Sequence, residues 1–380
     1  MFLIRQSRPE DVGTLLKLAR MVYFINLPPD EKVIARKIQH SRECFLRLAT
    51  EVDAGGSTAG GSGHYDDLYM FTIVDIESGL AIGTSQVKAH MGGPGNPNYA
   101  FSVFTREFTS TNLGIGSRHL VGRLYADESG PTEVGGLILD PGLRGHKARP
   151  GRLISFIRFH FIGLHRAIFS DRLIAEMMAS VTADGDNLFW DHFGRKFIPV
   201  KYSEADRFCQ HNRTFIDELL PKEDIYLSLF PLEVLNQIGQ VSKETVPARR
   251  LLERLGFEYK NFIDPFDGGP HLEAAAARVP LIASTRRTVL GDPYEGGKSL
   301  AKAPVGPCVV SVLRPDGEFA ALEVQAGVDP SGKVRIPKHA ADQLQVKKGD
   351  TVGFTPMDFE PVAAGDARPT AKPTRKKRAT

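Results

Sequence analysis

Residues 133–169 constrain the fold more than any other stretch of this chain. EVGGLIL (133–139) is apolar and short enough for a buried strand, and Asp140-Pro141-Gly142 ends it. RGHKARPG (144–151) follows, basic and glycine-bearing. Behind it Leu153, Ile157, Phe161, Leu164 and Ile168 recur at three- and four-residue spacing and predict a helix. A basic glycine loop entering a helix offers free backbone N–H groups and a positive dipole end, which suits a pyrophosphate. An ordinary strand-to-helix turn with solvated cations has the same spacing, so spacing alone leaves both readings open. The chain has no P-loop pattern and no G-x-G-x-x-G after its first strand. That argues against a nucleotide triphosphatase and a dinucleotide dehydrogenase.

Length and charge bound the rest. At 380 residues with 42% hydrophobic and 24% charged residues, the chain can bury two or three substantial cores, and it is neither mainly disordered nor collagenous. The net charge of +3 is misleading, because residues 368–380 (RPTAKPTRKKRAT) hold six Lys/Arg and no acid. The remainder carries 42 basic against 45 acidic residues, so a polycationic body is excluded. Cys44, Cys209 and Cys308 are odd in number and lack CxxC spacing, which fits a reducing compartment better than a disulfide framework or a structural zinc site. The eleven histidines form no HExxH or comparable ligand spacing, so no metal is expected. The N-terminus is broken by Arg5, Arg8, Glu10 and Asp11, and Leu153–Phe169 by Arg158, His160, His165 and Arg166. Neither reads as a signal or a membrane span, and a soluble cytoplasmic protein without membrane partners is expected.

Along the chain, a strand at Phe2–Arg5 leads into an amphipathic helix through Val12, Leu15, Leu16, Leu18 and Ala19. AGGSTAGGSG (54–63) is a linker composition. Tyr69–Ile76 and Ala81–Ala89 predict a hairpin, 92–98 a loop, and Ile174–Ala179 and Phe197–Tyr202 further strands around a helix at Asn187–Phe193. A helix–strand pass runs from Pro247 through Phe262. From about 305 the pattern changes to short strands, Cys308–Leu313, Ala320–Gln325, Lys333–Ile336 and Thr351–Thr355, around a helix at His339–Leu344. That predicts a small β-barrel, with a disordered basic tail from 358.

This order of elements resembles the GNAT acyl-CoA N-acyltransferase fold, in which a bulged fourth strand splays from its neighbour and a following loop cradles coenzyme A. Arg144 and Gly145 open the corresponding loop and Gly151 closes it; the loop is about two residues longer than usual and carries Pro150. The resemblance extends to the bacterial arginine N-succinyltransferase family. It rests on GLILDPGLRG (136–145), LIAEMMA (173–179), FWDHFGRKF (189–197), ELLPKEDIY (218–226), IGQV with PARRLLERLGFEYKNFIDPFDGGPHLEA (238–274) and KKGDTV (347–352). The fold class so implied is mixed α/β (α+β), with two GNAT-like halves and a small C-terminal β-barrel. The implied division is 1–205, a CoA-binding part; 206–285, a second part with the substrate motif; 286–357, the barrel; and 358–380, the tail.

The resemblance implies transfer of succinyl from succinyl-CoA to the α-amine of L-arginine, with the thioester as a substrate and no permanently bound cofactor. Leu137, Ile138 and Leu139 would meet the pantetheine arm through backbone groups, and Arg144, Gly145, Gly151 and Arg152 the pyrophosphate. The family carries a histidine, assigned as proton donor, directly after IGQV; here Ser242 stands in its place. A serine cannot act as acid or base near neutral pH, though it can relay through water. His271, Glu176 and Glu273 are the replacement candidates, and imidazole titrates in the useful range. Asp264 and Asp267, with Glu273, are candidate partners for a guanidinium, against a reading as turn caps. Two alternatives stay open: another amine such as ornithine or another acyl-CoA, and DNA binding through the C-terminal module and basic tail. The resemblance also implies homo- or hetero-oligomers.

Overall fold

β-branched and aromatic runs alternate with turn residues over most of the chain, and they pair into one very large sheet. The computed structural model describes residues 1–21, 27–53, 65–182, 185–209, 213–295, 304–360 and 362. The Gly/Ser stretch at 54–63 and the tail from 363 lie outside the described residues. In chain order the strands are β1 (Phe2–Gln6), β2 (Leu68–Asp75), β3 (Ala81–Lys88), β4 (Asn98–Ser110), β5 (Ile115–Asp127) and β6 (Thr132–Leu139). Then come β7 (Arg172–Glu176), β8 (Ile225–Tyr226), β9 (Glu258–Ile263), β10 (Pro270–Ala275) and β11 (Arg286–Val289). The last four are β12 (Pro304–Leu313), β13 (Phe319–Val328), β14 (Val334–Arg335) and β15 (Thr351–Pro356). Across the sheet the order is β11-β15-β12-β13-β1-β2-β3-β6-β7-β10-β9-β4-β5-β8, with β14 beside β13.

The expected hairpin of β2 and β3 is present. Among the described strands only β6 and β7 pair in parallel, and only at Thr132↔Leu173 and Glu133↔Ile174. From Val134 onward β6 has no partner on that side, so a wedge opens between the two strands. On its other side β6 carries a bulge: Gly135 faces Gln86 and Ile138 faces Thr84, leaving Gly136 and Leu137 opposite Ser85 alone. Gly136 holds a φ of +58°, and a Cβ there would come within 2.7 Å of the Gln86 side chain. Glycine is thus required where the strand bends.

Two helical layers cover the sheet. On one face α1 (Val12–Met21) and α2 (Glu31–Asp53) pack Leu15, Leu18, Ile34 and Ile38 over Met70 and Ile138. On the other, α3 (Pro150–Leu164) buries Leu153, Ile154, Ile157 and Phe161 among Phe71, Leu173 and Leu272. Position 205 lies inside the helix Tyr202–Cys209, and both the sheet and the α3 core, which takes in Ala175, Leu252 and Leu272, continue across it. The C-terminal strands and the helix Lys338–Leu344 form a core of their own around Val310, Leu322, Leu344 and Phe354, yet β13 hydrogen-bonds to β1 and extends the central sheet.

Three expectations are corrected. Phe197–Tyr202 is not a strand: Pro199 cannot donate to a ladder, the Val200 carbonyl accepts from Trp190 Nε1 at 3.0 Å, and Tyr202 already starts a helix. The tail expected to be disordered from 358 begins with packed residues, since Phe359 lies 5.8 Å from Phe156 between ring centres and the Val362 N–H donates to the Arg254 carbonyl. The loop expected at 92–98 ends one residue early, because Asn98 already starts β4, which forms a hairpin of two 13-residue strands with β5.

Candidate active site

The loop after β6 turns through Pro141–Leu143 and reaches α3 with Arg149 in the left-handed region at φ 49°, ψ 51°. Pro150 takes the first helical position, where a missing N–H costs nothing. The N–H groups of Gly145, Lys147 and Gly151 make no hydrogen bond among the described residues. Arg144 and Gly145 are exposed, and a Cβ at Gly145 would meet nothing. This is an open, basic, donor-rich turn at a helix start. Arg152 is engaged elsewhere: its Nη2 donates to Glu323 on β13 at 2.6 Å. A cavity of about 500 Å³ lies beside it, lined by Arg149, Arg152, Phe156, Leu251, Arg254 and residues 357–360.

Leu137 and Leu139 turn their side chains toward the α3 core and Ile138 toward α1 and α2. Only their backbone is left to line the wedge.

At the open end of the wedge the antiparallel register of β7 and β10 sets Glu176 directly opposite His271. His271 Nε2 lies 3.9 Å from Glu176 Oε1, is buried, and has no hydrogen-bond partner among the described residues. Asp264, on the turn between β9 and β10, completes a trio whose ligand atoms all lie within 4.8 Å of one another. The same atoms could hold a divalent cation, a grouping invisible to any search for linear ligand spacing. Asp264 Oδ1 accepts from the N–H groups of Phe266 and Asp267 at 2.7 and 3.0 Å, which fixes the carboxyl in place. Burial and the neighbouring Asp267 carboxylate push Asp264 up to about 7. Burial, and then Asp264, push Asp206 up to about 7.

The side chains of the other expected residues are engaged outside this trio. Asp267 is fully buried and accepts from the N–H groups of Gly269 at 2.7 Å and Ala179 at 2.9 Å, clamping the β9–β10 turn to the end of β7. Glu273 accepts from Arg172 Nη2 at 2.6 Å, and Arg172 also holds Asp127. Ser242 sits just beyond β7, its N–H on the Met178 carbonyl at 3.1 Å and its hydroxyl 3.0 Å from Thr245 Oγ1.

Several neighbours carry no sequence signal. Asn98 Nδ2 donates to Glu176 Oε1 at 2.7 Å, and Arg213 donates to Asn98 Oδ1 at 2.9 Å. Glu133 is buried and raised by burial and by Glu176, while burial lowers Lys37 to about 8. They come from separate elements, joined only by the fold.

A bulged strand that parts from a parallel neighbour, followed by a basic turn into a helix, defines a GNAT-like acyl-CoA N-acyltransferase. The family described as arginine N-succinyltransferase beta subunit matches residues 2–281. Arginine N-succinyltransferases from Shigella dysenteriae and from Escherichia coli K12 are each 32% identical over 301 residues, covering 78% of this chain and 83% of theirs. The structure of arginine/ornithine succinyltransferase subunit AI from Pseudomonas aeruginosa superposes with a TM-score of 0.76 at 25% identity, over 94% of this chain and 99% of that one. The chain belongs to the arginine N-succinyltransferase family, and it is an acyltransferase. No helix among the described residues is long and apolar enough to cross a membrane.

Proposed function

We propose that the protein transfers the succinyl group of succinyl-CoA to the α-amine of L-arginine, releasing CoA. One observation carries the reading: a buried imidazole nitrogen with no hydrogen-bond partner among the described residues, flanked by two carboxylates, stands at the mouth of the β6–β7 wedge.

The donor enters along β6. The turn at Arg144, Gly145 and Gly151 takes the pyrophosphate, with Arg152 shared between it and Glu323, and the backbone of Leu137–Leu139 carries the pantetheine arm. The thioester carbonyl then lies at the bulge, where a strand N–H stabilises the developing oxyanion. His271 Nε2 accepts a proton from the α-amine as its lone pair attacks the thioester carbon. The C–N bond forms, the C–S bond breaks, and the CoA thiolate leaves and takes up a proton. Glu176 stabilises the imidazolium, and Asp264 and Asp206 take the guanidinium, which favours their charged forms. Ser242 serves at most as a water relay. Asp267 and Glu273 hold the site's shape. Cys44, Cys209 and Cys308 form no disulfide among the described residues, which suits a cytoplasmic setting.

Thiol release from succinyl-CoA, with and without L-arginine and beside acetyl-CoA and ornithine, tests the reading. Arginine-dependent release favouring the succinyl donor is expected. Preference for another pair keeps the chemistry and replaces the substrate; no release with any pair, despite CoA binding, removes the catalytic assignment.

A further inference from the structure

The geometry points to Lys88 and Lys37 as the residues that read the terminal carboxylate of the acyl group, with Gln86 lining the way from the bulge. This rests on the succinyl-CoA reading above and adds the source of donor selectivity.

The argument is one of direction and length. A pantetheine arm that enters from the turn after Leu139 runs backward along β6, so an acyl chain leaving the bulge continues toward the strand's beginning. On β3 the residues facing that path are Gln86, opposite Gly135, and Lys88, opposite Glu133. Gly136 and Leu137 of the bulge lie three and four residues from Glu133, roughly 10–13 Å of strand. A four-carbon diacid reaches about 5 Å from its thioester carbon to its far oxygens and an extended lysine side chain about 6 Å, so the two together close that span and bring the far carboxylate to the Lys88 ammonium.

Three observations mark that place as built for an anion. Gln86 is 3% exposed, and its side-chain Oε1 has no hydrogen-bond partner among the described residues. Turned about its χ3 bond, that amide donates to a passing carboxylate. Lys37, brought over the sheet by α2, is held in a desolvated position beside Glu133 and Lys88. Three cations, Lys37, Lys88 and Arg213, surround the single Glu133 on this side, while Glu176 faces the amine site. Clustered cations repel one another, and an incoming carboxylate relieves that repulsion. The α3 face offers a weaker rival: Arg158 is buried beneath the strand and donates to Ser155 Oγ at 2.7 Å and to the Gly135 carbonyl.

The test compares succinyl-CoA with butyryl-CoA, which has the same carbon count and no terminal charge, in the full chain with arginine as acceptor. Lys88→Met and, separately, Lys37→Met are expected to lower kcat/KM for succinyl-CoA at least 30-fold and to leave butyryl-CoA within about threefold, so the donor ratio collapses. Unaltered CoA affinity shows that each variant is folded; Lys88→Gln is the milder substitute if Lys88→Met is not. An unchanged donor ratio in both Lys variants of a wild type that does prefer succinyl-CoA overturns this inference alone. A wild type with no succinyl preference overturns it together with the proposed substrate.

Discussion

His271 does its work because of what surrounds one atom. Its Nε2 is buried, has no hydrogen-bond partner among the described residues, and faces Glu176 across a strand pair. Replacing it by glutamine keeps the volume and removes the base, so kcat is expected to fall about 10²- to 10⁴-fold with CoA affinity unchanged, measured by steady-state thiol release and calorimetry. Asp264 predicts a pH effect of definite sign. Burial and Asp267 raise it to about 7, so below that pH it is protonated and cannot pair with a guanidinium. KM for arginine should therefore rise as pH falls from 8 to 6. Asp264→Asn should raise KM at pH 8 by about 10- to 100-fold, the loss of one charged hydrogen bond, and flatten the pH dependence. His271 and Asp264 were legible because they share the DPFDGGPHLE segment. Asn98, Arg213, Gln86, Lys37 and Lys88 were not, because none belongs to a motif and each gains meaning only from cross-strand register or from a helix folded over the sheet.

At the level of elements, the bulge on β6 is the feature on which donor placement turns. Gly136→Ala adds a Cβ within 2.7 Å of Gln86 at a φ of +58°, so the strand must shift to accept it. The expected result is a loss of about 1–3 kcal/mol in chemical denaturation and a weakening of CoA affinity; Gly145→Ala shares the positive φ, at +76°, but its Cβ meets open space, so it should weaken CoA less. A stable Gly136→Ala protein with unaltered CoA affinity counts against the bulge as the donor's guide. The β6–loop–α3 unit could be read from sequence since apolar periodicity, Pro150 and the glycines agree on it. The β4–β5 hairpin could not. Its distal residues 105–118 are solvent-exposed on both faces, so the chain has no reason to alternate polar and apolar there.

For the whole molecule, His160 ties α3 to the C-terminal strands: its two ring nitrogens lie 2.6 Å from Thr355 Oγ1 on β15 and from Ser311 Oγ on β12. Burial lowers it to about 3. A histidine depressed on folding contributes stability that is present above its unfolded value near 6.5 and is lost as pH falls toward 3. The stability gap between wild type and His160→Gln should thus narrow by about 1.4 kcal/mol per pH unit through that window. Denaturant titrations at stepped pH measure it, and a constant gap would show that folded His160 binds its proton as readily as the unfolded chain does. The sheet order carries a consequence of timing. β1 leaves the ribosome before the other described strands, and one of its two edges waits for β13, whose Leu322 pairs with Leu3. Until more than three hundred further residues have been made, that edge is bare to other nascent chains. Synthesis from the N-terminus cannot finish the sheet piece by piece, so the protein's yield in a cell depends on how well an unfinished edge is guarded during translation.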